Sequence, residues 1–387
     1  MLLPSLFFFP LSSPSRPPPQ TVVTYNILCD AYVSDRSFPP ESNAAADLAW
    51  SGREPRLIAE ILAMDVDLVC LQEVQREAWL GLGGECGGGG DAATPRPDAL
   101  GPALRAAGYE GGWFWDTPPP PGVPRSTLKA RRDGTPPVGP ALLVKSSRFT
   151  VHRFAAIAFR DARAAADLTG GHAGTTALLA GCRDGAVAAV LEDKRRPGGS
   201  AALILAASTH IHWDYRTPDL KVLQTAALLD ELARFGRGTT GGAASAPLPP
   251  LIIGGDFNSL PLDRASNEAP GAPSCAGQPS GAYALLSSGA LGPGHPHHPA
   301  RQRGGTSGVT YTTAGWGALA SVRGHPAEPA YTTRTTQFEG TLDYVFVSPG
   351  DWRVVGVLED PPPGDAPAPS QAWPSDHFAV GAVVERR

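Results

Sequence analysis

The chain is built from short apolar runs that each meet a polar residue at one end. Thr21–Leu28 carries Asn26 near its carboxyl end, and Asp67–Leu71 runs into Gln72 and Glu73. Ala202–Thr209 stops at His210, and Leu251–Gly255 delivers Asp256, Phe257 and Asn258. Asp343 opens the apolar run to Val347, and Asp376 and His377 precede another that ends at Val384. Aliphatic runs of this length without a polar face read as strands covered on both sides. Arg56–Leu62 lies between the first two and repeats its apolar positions at helical spacing, which makes a β-α-β unit.

Further strands are expected over Gly108–Trp115, Ala141–Lys145, Phe149–Phe159 and Val187–Glu192, and helices over Leu100–Ala107, Leu220–Arg234 and Ala282–Leu286. Strands outnumber helices, so two β-layers in the middle with helices outside are expected. The 45 Gly and 41 Pro fall largely in connecting segments: Gly81–Asp98, Thr117–Pro137, Gly236–Pro250, the His- and Pro-rich Gly289–Gly308, and Pro361–Pro369. With 42% hydrophobic and 18% charged residues, the chain is neither a disordered polyelectrolyte nor a coiled coil. No linker separates two complete sets of elements, so residues 21–387 are expected to form one domain. Residues 1–20 read as a disordered tail or a targeting segment. Their apolar run, broken by Pro4 and Pro10, is too short to span a bilayer. The five cysteines form no CxxC pair, which points to a reducing compartment and to no structural zinc.

The net charge of -5 argues against a general basic coat for nucleic acid. It does not argue against a site that holds phosphate through metal ions. Asn26, Glu73, His210, Asp256, Asn258, Asp343, Asp376 and His377 all follow or precede apolar strands. Carboxylates in such places are costly unless paired or metal-bound. Their mixture of Asn, Asp, Glu and His suits Mg²⁺ or Mn²⁺ beside a phosphate. In Gly254-Gly255-Asp256-Phe257-Asn258, Asp256 and Asn258 stand two apart and face the same side of an extended segment.

These segments resemble the endonuclease/exonuclease/phosphatase superfamily, the DNase I-like fold, across roughly Thr21 to Val384. The segments are Tyr25–Asp30, Leu71–Gln75, Thr209–Asp214, Gly255–Pro261, Gly340–Tyr344 and Ser375–Phe378. The stretch from His210 to Gln224 is similar to the poly(A) deadenylases of the carbon-catabolite-repressor type. The resemblance implies a four-layer α/β/β/α sandwich of two mixed sheets. It implies a Mg²⁺-dependent (or Mn²⁺-dependent) 3′-to-5′ exoribonuclease with one or two ions, shortening poly(A) and releasing 5′-AMP. Metal ligands would be Glu73, Asn26, Asp256, Asp343 and His377. Asp256 would orient and deprotonate water, Asn258 would fix the phosphate, and His210 would stabilise the transition state. Asp376 would set the ring tautomer of His377. Phe338 would stack on a terminal base, with His212, Trp213 and Tyr215 at the rim.

The partner implied is single-stranded RNA. The chain lacks the leucine-rich period that could join a deadenylation complex, which leaves another adaptor open. The implied location is cytoplasmic or nuclear, with organelle targeting through residues 1–20 also open. Arg125, Lys129, Arg131, Arg132, Arg195 and Arg196 are candidate backbone contacts. Some positions depart from the deadenylase pattern: Tyr215 replaces a usual Pro, and Asp184, Ser208 and Thr333 replace usual Asn residues. Val138 stands where an Asp is common. The alternative substrates are a 2′,5′-oligoadenylate, a dinucleotide 2′-phosphate or a cyclic phosphate. A non-enzymatic RNA-binding scaffold is the remaining class.

Overall fold

The structure, a computed structural model, describes residues 19–41, 43–82, 96–114, 137–161, 168–196, 198, 202–238, 247–264, 273–304, 308–324, 328–361 and 367–387. Eight strands come first in the chain: β1 (Gln20–Asn26), β2 (Leu68–Gln75), β3 (Tyr109–Trp113), β4 (Val138–Lys145), β5 (Phe149–Ala158), β6 (Gly185–Asp193), β7 (Leu203–His210) and β8 (Leu251–Asp256). They divide between two six-stranded sheets. The first sheet runs Trp352–Val357, Val380–Arg386, β1, β2, β4, β3. The second runs Ala320–Ser321, Asp343–Val347, β8, β7, β6, β5. Both are mixed, with β1–β2 and β7–β8 parallel and the other pairs antiparallel.

Side-chain alternation sorts the core into layers. Val22, Cys70, Leu142, Ile204, Ala206, Ile252 and Val345 fill the space between the sheets. Val23, Tyr25, Val69 and Leu71 face the other way, onto Leu57 and Ile61 of the Trp50–Met64 helix. Leu205, Ala207, Leu251 and Ile253 likewise meet Leu223, Ala227 and Leu228 of the Pro218–Arg237 helix. The result is the expected α/β/β/α sandwich.

Two elements of six or more residues were not anticipated. Trp352–Val357 is a half-exposed edge strand, whose mixed burial hides its period. The helix Ala173–Ala180 carries no charged residue to mark a polar face. The last strand starts at Val380 rather than His377, because His377 makes an isolated bridge to Thr333 instead. Residues 1–18 of the expected tail, 83–95 of the glycine-rich insertion, 115–136 of the loop holding Arg125, Lys129, Arg131 and Arg132, and 239–246 of the linker lie outside the described residues.

Candidate active site

Strand register builds most of the site. In the second sheet His210 pairs with Asp256, and Asp256 with Asp343, so the three stand in one row across neighbouring strands. Gly254 lies two residues before Asp256 and faces the other sheet. A Cβ there would sit 2.8 Å from the Cys70 Cβ and Sγ. Asp256 therefore points at the first sheet, where β1 ends at Asn26. The Asn26 Nδ2 donates to Asp256 Oδ2 at 3.1 Å and to Glu73 Oε1 at 3.0 Å, which ties the two sheets together.

Glu73 reaches this point through an irregularity. The pairing of β2 with β4 shifts register between Leu71 and Val74, and Glu73 has φ 60°. A bulge of this kind re-aims a side chain, and a non-glycine residue in the left-handed region costs on the order of 1–3 kcal/mol. Asn258, just past β8, is left-handed as well, at φ 46°. Its N–H donates to Asp256 Oδ1 at 2.8 Å and its Nδ2 to the Ile211 carbonyl at 2.9 Å. The Lys221 amine, from the Pro218–Arg237 helix, donates to the Asn258 carbonyl at 2.6 Å. Burial lowers Lys221 to about 8, against the pull of Asp256.

The other wall is a buried acid–imidazole pair. Asp343 Oδ2 accepts from His377 Nδ1 at 2.8 Å and from the Thr332 hydroxyl at 2.6 Å. His377 Nε2 then faces Asp256 Oδ2 at 3.8 Å, and His210 Nε2 lies 3.5 Å from the same oxygen. Burial pushes the Asp343 carboxyl above its usual range, despite the neighbouring His377 charge. Burial by itself would lower His377, but Asp343, Asp376 and Asp256 outweigh it and hold the ring well above the usual histidine range.

The donor set fits a divalent cation. Ligand atoms of Asp256, Asp343 and His377 lie within 4.8 Å of one another, all three residues buried. Asp343 Oδ1 is buried without a hydrogen-bond partner. Glu73 adds a third carboxylate, joined to the others through Asn26. Hard oxygen ligands suit Mg²⁺ or Mn²⁺, and His377 Nε2 faces them beside Asp256.

Asp263, Cys275 and His297 form a second group of metal-competent side chains. There, His297 Nδ1 accepts the Gly281 N–H at 3.0 Å, so Nε2 carries the ring proton. That proton bridges to Asp263 Oδ2 at 3.1 Å. As arranged, this second group holds a proton where a metal would bind.

The geometry bears on two of the expected roles and corrects that of Asp376. Asn26 presents its amide nitrogen to the carboxylates, while its Oδ1 accepts the Leu28 N–H at 3.0 Å. In this arrangement Asn26 spaces the two acids, and its Oδ1 keeps a second lone pair. Asp376 does not set the ring of His377, because Asp343 occupies Nδ1. The Asp376 carbonyl instead accepts from the Thr333 hydroxyl and the Arg334 N–H, and burial raises its carboxyl to about 6.

The remaining expected residues divide by location. Phe338 packs on Gly340, whose added Cβ would also meet Leu260, so its ring borders the Asn258–Pro261 segment. Trp213 and Tyr215 are 64% and 50% exposed, available as contact surfaces rather than packed beneath the helix. Trp213 lies beside the His212 ring at a centroid distance of 6.1 Å. Ser208 links the sheets through Gln72 and the Leu71 carbonyl, and Val138 pairs with Gln75 at the start of β4. Arg195 and Arg196 follow Asp193, at the far end of β6 from Gly185, which pairs with His210. Eight residues at ~3.3 Å put them roughly 25 Å from the row.

Sequence reasoning also missed supporting groups. Lys221 looked like an ordinary helix position. Ser375 Oγ donates to the Asn26 carbonyl at 2.7 Å and receives the His377 N–H at 3.2 Å. Arg53, buried in the Trp50–Met64 helix, donates to the Ile27, Leu28 and Pro374 carbonyls at 3.1, 2.8 and 3.3 Å. Ser375 opens the matching segment Ser375–Phe378, but its role and that of Arg53 depend on partners from distant segments.

The model of the Endonuclease/Exonuclease/phosphatase family matches residues 23–377. The CCR4-Not complex 3′-5′-exoribonuclease subunit Ccr4 of Schizosaccharomyces pombe is 24% identical over 388 residues, which is 93% of this chain and 48% of that protein. This chain thus spans about half the length of that relative. Among solved structures, ANGEL2, described as a 2′,3′-cyclic phosphatase, aligns with a TM-score of 0.64 at 21% identity over 95% of each chain. The human Nocturnin catalytic domain with bound sulfate aligns with a TM-score of 0.55 at 22% identity, covering 96% of this chain and 95% of its own. Among the described residues no helix is long and apolar enough to cross a membrane.

Proposed function

The chain belongs to the endonuclease/exonuclease/phosphatase family, and from that premise we propose that it is a metal-dependent phosphoesterase acting on the phosphorylated end of a nucleotide or oligonucleotide. The substrates proposed are a 2′,3′-cyclic phosphate, a 2′-phosphate or a 2′,5′-linked end. The observation that carries the chemistry is the buried group Asp256–His377–Asp343, with its unpartnered Asp343 oxygen. The cyclic phosphate stands first because ANGEL2, which superposes over nearly the whole chain, is described as a cyclic phosphatase and is known with adenosine-2′,3′-vanadate.

A divalent ion held by Glu73, Asp256 and Asp343 would supply positive charge for the phosphate and favour a stronger oxygen nucleophile at neutral pH. Asp256 orients the attacking water and takes its proton. His210 and His377, with their Nε2 atoms facing Asp256, donate to phosphate oxygens as charge builds. Asn258 gives one amide hydrogen to the Ile211 carbonyl and has a second for the phosphate. The new bond is P–O from water. The bond that breaks is P–O to the ribose oxygen, which takes up the proton that Asp256 removed from water, and a cyclic phosphate needs this step twice to lose its phosphate. Phe338 and Trp213 offer faces for a base, and stacking is worth ~1–3 kcal/mol.

A second reading, shortening of poly(A) from its 3′ end, is favoured by the Ccr4 sequence relatives and by the segment from His210 to Gln224. One panel tests both. The full chain is incubated with Mg²⁺ or Mn²⁺ and four substrates: an oligoadenylate ending in a 2′,3′-cyclic phosphate, a dinucleotide 2′-phosphate, a 2′,5′-linked adenylate, and A₂₀ with a free 3′ end. Loss of the terminal phosphate or of the 2′,5′ link, with A₂₀ intact, is the expected result. A ladder on A₂₀ that shortens by single nucleotides would replace it with the second reading. No turnover of any phosphoester would reject both.

A further inference from the structure

Beyond the row of residues around Asp256 lies a closed ring of two hydrogen bonds and an ion-pair contact that the chemistry above does not use. Asp184 directly precedes β6, whose first residue Gly185 pairs with His210. Gln224, fully buried in the Pro218–Arg237 helix, donates its Nε2 to Asp184 Oδ2 at 2.7 Å. Its Oε1 accepts the His212 backbone N–H at 2.8 Å. His212 Nδ1 closes the ring on Asp184 Oδ2 at 3.3 Å. Burial alone would raise the Asp184 carboxyl, but the hydrogen bonds from His212 and Gln224 and the charge of His210 bring it below its usual range.

This arrangement fixes the imidazole in two ways. An ionised carboxylate only accepts, so Nδ1 of His212 carries a proton and Nε2 is the atom left for a ligand. Strand register also sets the place. His212 stands two residues past His210, the last residue of β7, and the Asp184 that it pairs with directly precedes Gly185, the partner of His210. His212 is partly open, with 26% of its side chain exposed. With Asp184 opposite Nδ1, the ring can offer its second nitrogen as an N–H donor to an anion without leaving an uncompensated cation at the rim.

We propose that His212, held by Asp184 and Gln224, contacts the phosphate adjacent to the scissile one, so that the site selects an oligonucleotide end over a lone nucleotide. His212 is the substrate-touching group, and Asp184 and Gln224 are positioning residues acting through it. The proposal rests on the phosphoesterase reading and names the substrate class of that same site. An Asp at position 184 would otherwise repel phosphate. Here its charge is taken up by the ring.

The test compares two substrates that share the reacting group: adenosine 2′,3′-cyclic phosphate and a six-residue oligoadenylate with the same end. Steady-state constants are measured for the wild type, His212→Gln, Asp184→Asn, and the double variant. Binding of the oligoadenylate in EDTA is followed in parallel by fluorescence anisotropy, with circular dichroism as a check on folding. The ratio of kcat/KM for the oligonucleotide to that for the mononucleotide should fall at least about tenfold in His212→Gln, mainly through KM, as expected for losing one charge-assisted bond. Asp184→Asn should lower the ratio less, and should add nothing in the His212→Gln background. Equal losses on both substrates, or additive effects of the two substitutions, would overturn the proposal while turnover upheld the phosphoesterase. Absence of turnover, with anisotropy still weakened about tenfold by His212→Gln, would remove the phosphoesterase reading and retain the anion contact. Unchanged anisotropy without turnover would remove both.

Discussion

Gly254→Ala probes how closely the site depends on the approach of the two sheets. The new methyl would lie 2.8 Å from the Cβ and Sγ of Cys70 and 3.1 Å from the Thr24 Cβ. Carbon atoms are comfortable at ~3.5–4.0 Å, so the shortfall is about 1 Å. Cys70 is 1% exposed and its thiol reaches the Ala207 carbonyl at 3.5 Å, so it has nowhere to turn. The sheets must part locally, at a cost of ~1–3 kcal/mol. Two residues on, Asp256 accepts from Asn26 at 3.1 Å, and a shift of that size breaks the bond. Misplacement by about 1 Å can cost ~10²-fold in rate. Urea unfolding should show the stability loss, and phosphoester hydrolysis the loss in turnover. Cys70→Gly opens space for the methyl, so the double variant should regain at least about tenfold in turnover over Gly254→Ala. Wild-type stability and turnover in Gly254→Ala would refute the reasoning.

Four further outcomes rest on named contacts. Lys221→Met removes the clamp on the Asn258 carbonyl and should reduce turnover by roughly tenfold, the worth of one hydrogen bond to a charged group. Lys221 is depressed to about 8 in the folded state, so the folded protein binds fewer protons than the unfolded one between about pH 8 and 10.5. Wild-type stability should therefore rise with pH across that window relative to Lys221→Met, and parallel denaturation curves would contradict this. Glu60 shows the opposite sign: burial raises it to about 7, although the Tyr25 hydroxyl donates to it at 3.1 Å. The folded state then holds the extra proton, and stability falls as pH rises from about 4.5 to 7. Discounted for partial exposure, Glu60→Gln should gain ~1–2 kcal/mol at pH 8 and nothing at pH 4, measured by urea unfolding. Saturating Mg²⁺ should raise the melting temperature of the wild type, since an ion at 100 times its Kd adds ~2.7 kcal/mol. Asp343→Asn should lose at least half of that shift in a thermal melt, and an undiminished shift would place the ion elsewhere.

The polar residues at strand ends were readable in the sequence because apolar runs make them conspicuous. Asp256 and Asn258 after Leu251–Gly255 are the clearest case. Their arrangement was not readable, because the row His210–Asp256–Asp343 exists only through the pairing of strands far apart in the chain. The resemblance pairs Asp376 with His377, its neighbour in the chain. The ring actually meets Asp343, 34 residues away. Glu73 looked like the end of a regular strand, yet its bulge and left-handed backbone aim it at the site. Lys221 gave no sign, since a lysine on a helix is ordinarily solvated and this one is turned inward by the Asn258 carbonyl. The helix Ala173–Ala180 and the edge strand Trp352–Val357 escaped because neither has a clear polar face.

The most direct test of the account is the divalent-ion dependence of phosphoester hydrolysis by the full chain, measured beside Asp256→Asn. Turnover should require Mg²⁺ or Mn²⁺, stop on chelation, return on re-addition, and fall at least ~10²-fold in a folded Asp256→Asn. Hydrolysis that persists in excess chelator, or a folded Asp256→Asn with wild-type turnover, would contradict the assignment of this site.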